Sequence, residues 1–220
     1  MQPVSSLRVE SVNVGRPREV LWKGRKVLTG IFKEPVAGRV ALRRLNLEGD
    51  QQADLKVHGG PQKAIYVYPA DYYAFWREQF PLMELPWGAF GENLTIWGVR
   101  DDTIHIGDQL QVGSAQLVVT EPRRPCYKLA LKFGSEEIIK RFWQSGFMGF
   151  YCAVLQEGEV AAGDPVSLLH HDEQKVSVLD VLRLQREDRY DFDLLRRALA
   201  VEALSQDWRE VFLERLADFS

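Results

Sequence analysis

Short runs of apolar residues dominate the first two thirds of the chain, and Gly, Pro and Asp punctuate them. Runs of about four to eight residues bounded by turn residues predict β-strands. The predicted strands are Leu7–Val14, Val27–Phe32, Arg39–Leu42, Ala64–Tyr68, Thr103–Ile106, Gln109–Val112, Gln116–Thr120, Phe150–Leu155 and Asp164–Leu168. Many short strands at close spacing favour a closed or nearly closed barrel over an open parallel sheet. The pattern therefore predicts a mostly β fold.

Two segments with helical periodicity interrupt the predicted strands. They cover about Ala70–Gln79 and about Ser135–Gln144. In the second segment, Ser135 can cap the free N–H groups of the first turn and Gly146 can end the helix. The apolar residues of this helix recur at helical spacing, so we expect one of its faces to be buried.

Beyond Leu169 the character of the chain changes. Residues 170–175 are polar, and the remainder of the chain is rich in Leu, Arg, Glu and Asp at helical spacing. The pattern predicts three short helices, each opened by a Ser or Asp cap, near Ser177–Glu187, Asp191–Ala200 and Ser205–Leu216. About forty residues form only a marginal core alone, so we expect this tail to dock on the β domain or on a partner. We therefore divide the chain into a β domain at residues 1–170 and a three-helix domain at residues 176–220.

The composition and net charge of the chain argue against nucleic acid and membranes as partners. The chain has 220 residues, of which 45% are hydrophobic and 27% charged, as is typical of a folded globular protein. Its 28 Lys and Arg residues face 31 Asp and Glu residues, which gives a net charge of −3. No overall positive field exists to attract phosphate backbones or anionic lipids, so we expect neither nucleic acid nor a membrane as a partner.

The number of cysteines and the sequence of the first residues indicate the cellular compartment in which the protein is expected. The stretch Met1–Val14 lacks the basic and apolar regions of a secretory signal, and no stretch approaches a membrane span. Two cysteines, Cys126 and Cys152, make a disulfide framework implausible at this size. We expect both thiols to be free and the protein to be cytoplasmic.

The segment Glu121–Leu129 is the most informative one for chemistry. It places Cys126 after a predicted strand, with two prolines and three cations around it. Positive neighbours stabilise a thiolate, and prolines restrict the backbone that presents it. Cys126 is therefore a chemically usable thiol, with an ordinary half-buried cysteine at a strand end as the alternative. Cys152 lies in an apolar run, where a cysteine is usually a small core residue.

Further segments could contribute polar groups to a site. His58 precedes the pair Gly59-Gly60, whose N–H groups could hold an anionic oxygen together with nearby lysines. Asn93 offers a donor and an acceptor to a heterocycle edge, and Lys33 is a point charge suited to phosphate. Each of these features alone is more often part of a turn or of the surface.

Several common cofactor and metal motifs are absent from the sequence. It has no Gly-rich dinucleotide fingerprint after a strand, no Walker A loop, no Cys-x-x-Cys zinc spacing and no His-Glu-x-x-His. The pair His170-His171 lies in the expected linker, where solvated polar residues are the default. If the protein carries out redox chemistry, the electrons must come from another protein, because no flavin or nicotinamide domain is present.

Six segments in a fixed order are much more specific together than any of them alone. They are Thr29–Val36, Leu47–Asp54, Lys56–Gly60, Phe90–Leu94, Ile106–Asp108 and Pro122–Leu129. In this order they resemble the MOSC domain family, and closely its YiiM branch, over nearly the whole chain. The three-helix tail also matches that branch.

The resemblance implies a MOSC-type β-barrel that binds the molybdenum cofactor, a pyranopterin with a dithiolene and a terminal phosphate. Cys126 would be the protein ligand to molybdenum, which agrees with the affinity of thiolates for soft, redox-active metals. Arg123 and Lys33 would neutralise phosphate or pterin oxygens. The other residues expected to line the pocket are His58, Gly59, Gly60 and Asn93.

The activity implied by the resemblance is reduction of N-hydroxylated compounds, such as hydroxylaminopurines and amidoximes, to amines or amidines. This reaction detoxifies mutagenic base analogues, and an external reductase would supply the electrons. Aromatic residues near the pocket could stack a flat purine. The candidates are Tyr66, Tyr68, Trp87, Phe90 and Trp97.

Two other functions are compatible with the same residues. A sulfur or molybdenum-cofactor carrier would use the Cys126 thiolate or persulfide without turnover. A Cys/His hydrolase or thiol sensor would need Cys126 within hydrogen-bond reach of His58, and no third, orienting residue is recognisable. The sequence leaves open whether the tail forms a homodimer or recruits a reductase.

Overall fold

The computed structural model describes residues 7–53 and 59–218. The strands in these ranges are β1 Arg8–Val14, β2 Arg18–Trp22, β3 Arg25–Thr29, β4 Glu34–Pro35, β5 Val40–Leu42, β6 Ile65–Pro69, β7 Leu94–Trp97, β8 Gln109–Val112, β9 Ala115–Pro122, β10 Phe150–Gln156, β11 Gly158–Val160 and β12 Val166–His170. The helices are α1 Tyr72–Gln79, α2 Tyr127–Phe133, α3 Glu137–Ser145, α4 Val178–Arg186, α5 Phe192–Ala200 and α6 Gln206–Ala217, with a short 3₁₀ helix at Pro61–Lys63. The expectation of a mostly β domain followed by three helices is confirmed.

Eight strands form the main sheet, in the order β12-β8-β9-β10-β6-β7-β1-β4. Neighbouring strands run antiparallel except β6 and β7, which are parallel and are connected through α1. The two ends of the sheet approach each other, because Val9 N–H donates to the Asp164 carbonyl at 2.9 Å. Two more backbone hydrogen bonds, Gly163 N–H to the Val9 carbonyl at 2.8 Å and Val166 N–H to the Leu7 carbonyl at 2.9 Å, surround a single bridge between Arg8 and Pro165. The described strands therefore curl toward a barrel without closing one by full strand pairing.

The central strands of the sheet, β6, β9 and β10, lie beside an open cleft. Strand β10 pairs with β9 on one side and with β6 on the other. The side chains of β6 and β9 are mostly buried, which indicates that both faces of these two strands are covered. β9 ends at Pro122, directly before Arg123 and Cys126. Two small antiparallel pairs, β2 with β3 and β5 with β11, lie outside the main sheet.

Two of the predicted strands need correction. Thr103–Ile106 forms turns, because backbone N–H groups bond back to the Arg100 carbonyl at 3.0 Å. The strand predicted at Val27–Phe32 ends at Thr29. The chain then passes so close to a neighbouring loop that a Cβ at Gly30 would lie 2.6 Å from a carbonyl oxygen. The residues after Thr29 form a loop that lines the cleft.

Helix α2 has no counterpart in the sequence prediction. It follows Cys126 and ends at Gly134, whose φ of 66° suits glycine. The helix is only 7 residues long and has no side-chain cap, so no start signal marks it. Its buried face includes Phe133, whose ring lies 5.6 Å from that of Phe90. This packing fixes the position of Cys126 relative to the sheet.

The helices α1 and α3 confirm the two interrupting helices of the prediction. Ser135 accepts a hydrogen bond from the Glu137 N–H at 3.2 Å near the start of α3. Gly146 ends this helix with a φ of 71°, as expected. Residues Ile138 and Phe142 supply its buried face.

The three predicted tail helices are present and dock on the sheet. Ser177 and Asp180 form a reciprocal capping box at the start of α4, with both hydrogen bonds at 3.0 Å. Asp191 caps α5 by accepting from the Leu194 N–H at 2.9 Å. The buried faces of the helices belong to the same apolar cluster as the sheet. The tail therefore packs on the β domain, one of the two arrangements expected.

Both cysteines are free, as expected from their number. Cys152 is fully buried in β10, and burial raises the pKa of its thiol. It is the small core residue that its apolar surroundings indicate. None of the helices in the described part of the chain has the length and apolar character that a membrane crossing requires.

Candidate functional site

An open cleft with about 630 Å³ of space, part of it continuous with solvent, lies beside the central strands β6, β9 and β10. The loops after β3 and before β7 form one wall, and the segment between β9 and α2 forms the other. The described lining residues are Thr29, Gly30, Ile31, Lys33, Gln51, Gln52, Ala53, Lys63, Tyr66, Phe90, Gly91, Asn93, Arg123, Arg124, Cys126, Lys128 and Tyr151. Segments far apart in the chain thus meet around one thiol.

Four of the predicted site residues come together in this cleft: Lys33, Asn93, Arg123 and Cys126. Gly59 and Gly60 are not among its lining residues. They precede the 3₁₀ helix, which carries Lys63 to the cleft. His58 lies outside the described residues, so its predicted place in the pocket, and its contact with Cys126 in a hydrolase, stay predictions.

The thiol of Cys126 is presented from a well-supported backbone. The residue is extended, with φ −129° and ψ 170°, and its carbonyl accepts from the Leu129 N–H at 2.9 Å in the first turn of α2. Pro122 before it is still paired with Phe150 of β10. Cys126 is half-buried, and its thiol is free at the edge of the cleft. It is accessible to a ligand, whereas Cys152 is not.

The cleft is basic although the whole chain is slightly acidic. Five of its lining residues are cationic, and none of the lining residues that the structure describes is acidic. The cations are Lys33, Lys63, Arg123, Arg124 and Lys128. A concave site lined by one sign of charge concentrates its field and attracts ligands of the opposite sign. Lys33 and Lys63 also form ion pairs with carboxylates, so Arg123, Arg124 and Lys128 contribute most of the attraction for an anion.

Arg123 is the most deeply placed of these cations, with only 5% of its surface exposed. Its guanidinium carbon lies 5.2 Å from the ring centre of Tyr66 and 5.2 Å from that of Phe142. Among the described residues, no hydrogen-bond partner exists for its Nη1 atom. An unsatisfied donor on a buried charge is costly, so this atom is suited to meet a ligand oxygen.

Tyr151 adds a neutral donor beside Arg123. Burial raises the pKa of Tyr151 to about 12, although the Arg123 charge opposes the shift. The phenol therefore keeps its proton at neutral pH. It can donate a hydrogen bond to an anionic ligand in the cleft, which it helps to line.

Lys33 and Asn93 are held by a buried carboxylate. Asp50 accepts from Lys33 Nζ with one oxygen and from Asn93 Nδ2 at 2.9 Å with the other. The amide oxygen of Asn93 accepts from the Tyr66 N–H at 3.1 Å. Burial lowers the pKa of Lys33, and the charge of Asp50 opposes this effect. Both side chains thus build the wall of the cleft, and Asn93 has one amide hydrogen left for a ligand.

Glu92 is a buried site residue that the sequence did not single out. Its carboxylate accepts from the backbone N–H groups of Gly88 at 2.8 Å and Phe90 at 3.1 Å. It also accepts from the hydroxyls of Thr95, at 2.9 Å, and Tyr73. These bonds fix the loop before β7, and the pattern Gly-Glu-Asn in that loop is the only signal in the sequence.

Lys132 ties α2 to both loops of the opposite wall. Its ammonium donates to the carbonyls of Ile31 at 3.1 Å and Gly88 at 2.6 Å. Burial lowers the pKa of Lys132 to about 8, with Glu92 opposing the shift. Because Cys126 directly precedes α2, this lysine fixes the distance between the thiol and the two loops. One lysine in a seven-residue helix gives no sequence signal for this role.

Two cleft cations are braced by α6 of the tail. Lys63 Nζ lies 2.5 Å from Asp207 Oδ2 and 3.5 Å from Glu121 Oε1. Arg124 lies over the Trp208 ring, with its guanidinium carbon 5.0 Å from the ring centre. The three-helix domain therefore contacts the rim of the cleft directly, which the sequence alone did not indicate.

Comparisons with known proteins place both parts of the chain. Residues 54–167 match the model of the MOSC domain, and residues 176–219 match that of the YiiM-like, 3-alpha helix domain. The sequence is 43% identical to the uncharacterized protein YflK of Bacillus subtilis over 207 residues, covering 94% of this chain and 93% of that protein.

Two further relatives bear on structure and function. The crystal structure of YiiM from Geobacillus stearothermophilus superposes with a TM-score of 0.81 and 33% sequence identity, covering 96% of this chain and 99% of that one. A protein of Gibberella moniliformis named reductase is 34% identical over 177 residues, which are 78% of this chain and 31% of that longer protein.

Proposed function

This chain belongs to the MOSC domain family, in the branch that carries the YiiM-like three-helix domain, and we propose that it is a molybdenum-cofactor-dependent reductase of N-hydroxylated compounds. The observation that carries the proposal is the free thiol of Cys126 in a cleft with five cations. The similarity to a fungal protein named reductase supports the reaction class.

The described residues fit the molybdenum cofactor on two counts. The donor set contains one accessible thiolate-forming sulfur, which suits a soft, redox-active metal. It also contains a buried guanidinium whose Nη1 has no partner among the residues described, as a phosphate or pterin oxygen requires. Cys126 would hold the metal, and Arg123 would bind an anionic oxygen. Lys63, Arg124 and Lys128 would add further positive charge at the rim.

When bound, the cofactor supplies the two electrons that break the N–O bond of the substrate. An N-hydroxylated amine takes up two electrons and two protons and yields an amine and water; the electrons come from an external reductase. The protein orients the substrate and excludes bulk water. Tyr151 keeps its proton at neutral pH and can hydrogen-bond an oxygen in the cleft.

The expected aromatic platform is smaller than the sequence indicated. Of the five aromatic candidates, Tyr66 and Phe90 line the cleft, and the rest do not. The hydroxyl of Tyr66 donates to the Met148 carbonyl at 2.7 Å, so its ring is fixed in place. Phe90 is 0% and Tyr66 3% exposed, so these two rings offer a flat substrate little surface for stacking.

The test compares two cysteine variants after expression in a host that makes the cofactor. We expect the parent to contain molybdenum and pterin, and to convert 6-hydroxylaminopurine to adenine with a chemical reductant. Cys126→Ser should lose at least about a hundredfold in rate because the sulfur ligand is removed. Cys152→Ala, which removes the buried thiol of β10, is the matched control and should keep its activity.

Two outcomes of this test would contradict the proposed function. A folded Cys126→Ser protein that reduces the substrate as fast as the parent would refute the ligand role of this sulfur. A parent that contains the cofactor but forms no amine would instead be a sulfur or cofactor carrier. Metal content is measured by mass spectrometry and product by chromatography, so binding and turnover are read separately.

A further inference from the structure

Three side chains with metal-binding atoms converge away from the cleft. The Nδ1 atom of His105 lies 3.3 Å from Asp108 Oδ2, and the Nδ1 atom of His171 lies 3.2 Å from Asp108 Oδ1. All three ligand atoms lie within 4.8 Å of one another. His105 and Asp108 come from the turn before β8, and His171 follows β12, so the cluster joins two distant parts of the chain.

Asp108 is held in a fixed orientation and has no surface exposed. Its carboxylate accepts from the His105 N–H at 2.9 Å and from the Asp172 N–H at 3.0 Å. Each of the two segments therefore donates one backbone hydrogen bond to it. Hydrogen bonds or positive charge offset the cost of burying a carboxylate, and a cation between the imidazoles and the carboxylate would add to the two N–H donors.

The cluster is open to solvent on one side. The side chain of His171 is 58% exposed, whereas that of His105 is 21% exposed. The two imidazole rings are 5.8 Å apart between their centres. An ion can therefore enter beside His171, and this exposed ring can adjust its position on binding.

We propose that His105, Asp108 and His171 bind one zinc ion. Two imidazole nitrogens and one carboxylate oxygen form a zinc donor set, whereas magnesium and calcium prefer oxygen ligands. Ligand atoms of a tetrahedral zinc site are about 3.3 Å apart when each bond is about 2 Å. Each imidazole already has one Asp108 oxygen at about that separation, since the Nδ1 atom of His105 lies 3.3 Å from Oδ2 and that of His171 lies 3.2 Å from Oδ1. Water would occupy the fourth position.

The proposed ion would clamp the three-helix domain to the sheet. The turn that carries His105 already bonds to the start of this domain, since Ile106 N–H donates to the Val176 carbonyl at 2.9 Å. Val178 N–H donates in turn to the Ile104 carbonyl at 3.0 Å. His171 lies in the linker that leads there. None of the three proposed ligands lines the Cys126 cleft, so this inference stands apart from the proposed activity.

The test measures zinc binding in the full chain with Cys126→Ser, which removes the cleft thiol as a competing ligand. After treatment with a chelator, we expect calorimetry to give one zinc ion per chain. His171→Gln should weaken this binding at least tenfold. His170→Gln alters the neighbouring exposed histidine and is the matched control; it should leave the affinity unchanged.

A second readout keeps the test independent of folding defects. Cobalt(II) in place of zinc should give visible absorption in the His170→Gln protein and lose it in His171→Gln. The melting temperature without metal establishes that both variants fold, and added zinc should raise it only where the cluster is intact. Absence of stoichiometric binding, or equal affinity in all variants, would overturn the proposal and make the cluster a hydrogen-bonded clasp.

Discussion

The cleft around Cys126 and the contact between the tail helices and the sheet are built from opposite kinds of residue. The cleft brings together five cations, a free thiol and the buried carboxylates that brace its walls. The helix contact is apolar. Its buried tail residues are Val178, Val181, Leu184, Leu195, Ala198, Trp208 and Phe212, in one cluster with Leu117 and Val119 of β9.

This difference in composition implies that the cleft serves ligand binding and that the helix contact stabilises the fold. Burying lysines and an incompletely bonded guanidinium in the cleft consumes free energy of folding, because charged groups lose their hydration. The lowered pKa values of Lys33 and Lys132 are signs of this burial. Removing apolar surface from water at the helix contact supplies free energy of folding. Substitutions at the helix contact should therefore reduce stability, and substitutions in the cleft should reduce binding.

Trp208→Ala is the largest expected effect on stability. The indole is 1% exposed and packs against Phe212 with ring centres 5.5 Å apart. Removing a fully buried Trp side chain leaves a cavity and should lower the free energy of unfolding by about 3–5 kcal/mol. Urea unfolding measures this change. Leu213→Ala in the same helix is the control, because Leu213 is 51% exposed, and should change stability by less than about 0.5 kcal/mol.

A small loss of stability in Trp208→Ala would mean that the helix contact contributes little free energy of folding. If stability fell by less than about 1 kcal/mol, the helices would not be an essential part of the core. If both α6 variants unfolded at the same urea concentration, burial would not distinguish Trp208 from Leu213. Either result would contradict the stabilising role assigned to the burial of Trp208.

Asp101 is a polar exception at the helix contact and gives a pH-dependent prediction. Its backbone carbonyl accepts from the Leu179 N–H of α4 at 2.8 Å, and its Oδ2 accepts from Met148 and Gly149 N–H groups at 2.9 and 3.1 Å. No partner for its Oδ1 exists among the described residues. Burial raises the pKa of Asp101 to about 7, although the two N–H donors oppose the shift.

The sign of the effect follows from proton linkage. Between pH 4 and 7 the folded state holds a proton on Asp101 that the unfolded state has released, so stability should fall as the pH rises. Asp101→Asn cannot ionise and should not share this slope. The difference in unfolding free energy between variant and parent should therefore change by about 3 kcal/mol in favour of the variant from pH 4 to 7.

Urea unfolding at three pH values tests the Asp101 prediction. Asp102→Asn serves as the control, because the side chain of Asp102 is 41% exposed and pairs with Arg100 at the surface. A constant difference between Asp101→Asn and the parent over the whole range would mean that Asp101 ionises normally in the folded state. The helix contact would then tolerate a buried charge as the cleft does.

The same contrast explains what the sequence could predict. The tail helices are predictable from caps and apolar spacing, which act over a few residues, as at Ser177 and Asp191. The cleft depends on pairs that are distant in the chain: Asn93 and Asp50 are 43 residues apart, and Lys63 and Asp207 are 144 apart. No local pattern encodes such partners. Cys126 is recognisable because its neighbours in sequence are themselves cationic.

Helix α2 and the incomplete closure of the barrel are two further features that the local sequence does not predict. The helix is stabilised by burial of Phe133 against Phe90 and by the Lys132 bonds to two loops, not by a cap of its own. Closure of the sheet depends on how Arg8 meets Pro165, two residues from opposite ends of the β domain. Tertiary contacts determine both features, and the periodicity of a single segment does not report them.

Asp207→Asn has the smallest expected effect and tests the point where the two regions touch. The Asp207 side chain is 54% exposed, and its hydrogen bond with Lys63 lowers the pKa of the carboxyl group. Its contribution should be present at neutral pH and lost only in acid, as the pH falls through the lowered pKa. An exposed ion pair contributes below about 1 kcal/mol, so the urea midpoint should hardly move at pH 7.

The informative measurement on Asp207→Asn is cofactor content. Lys63 also lies 3.5 Å from Glu121 Oε1, so it should stay at the cleft and molybdenum content should stay within about twofold of the parent. Glu210→Gln, elsewhere on α6, is the control for a lost acidic charge. A loss of cofactor of more than about tenfold in Asp207→Asn alone would show that α6 holds Lys63 for binding. The three-helix domain would then be part of the site, and stability and binding would not be divided between the two regions.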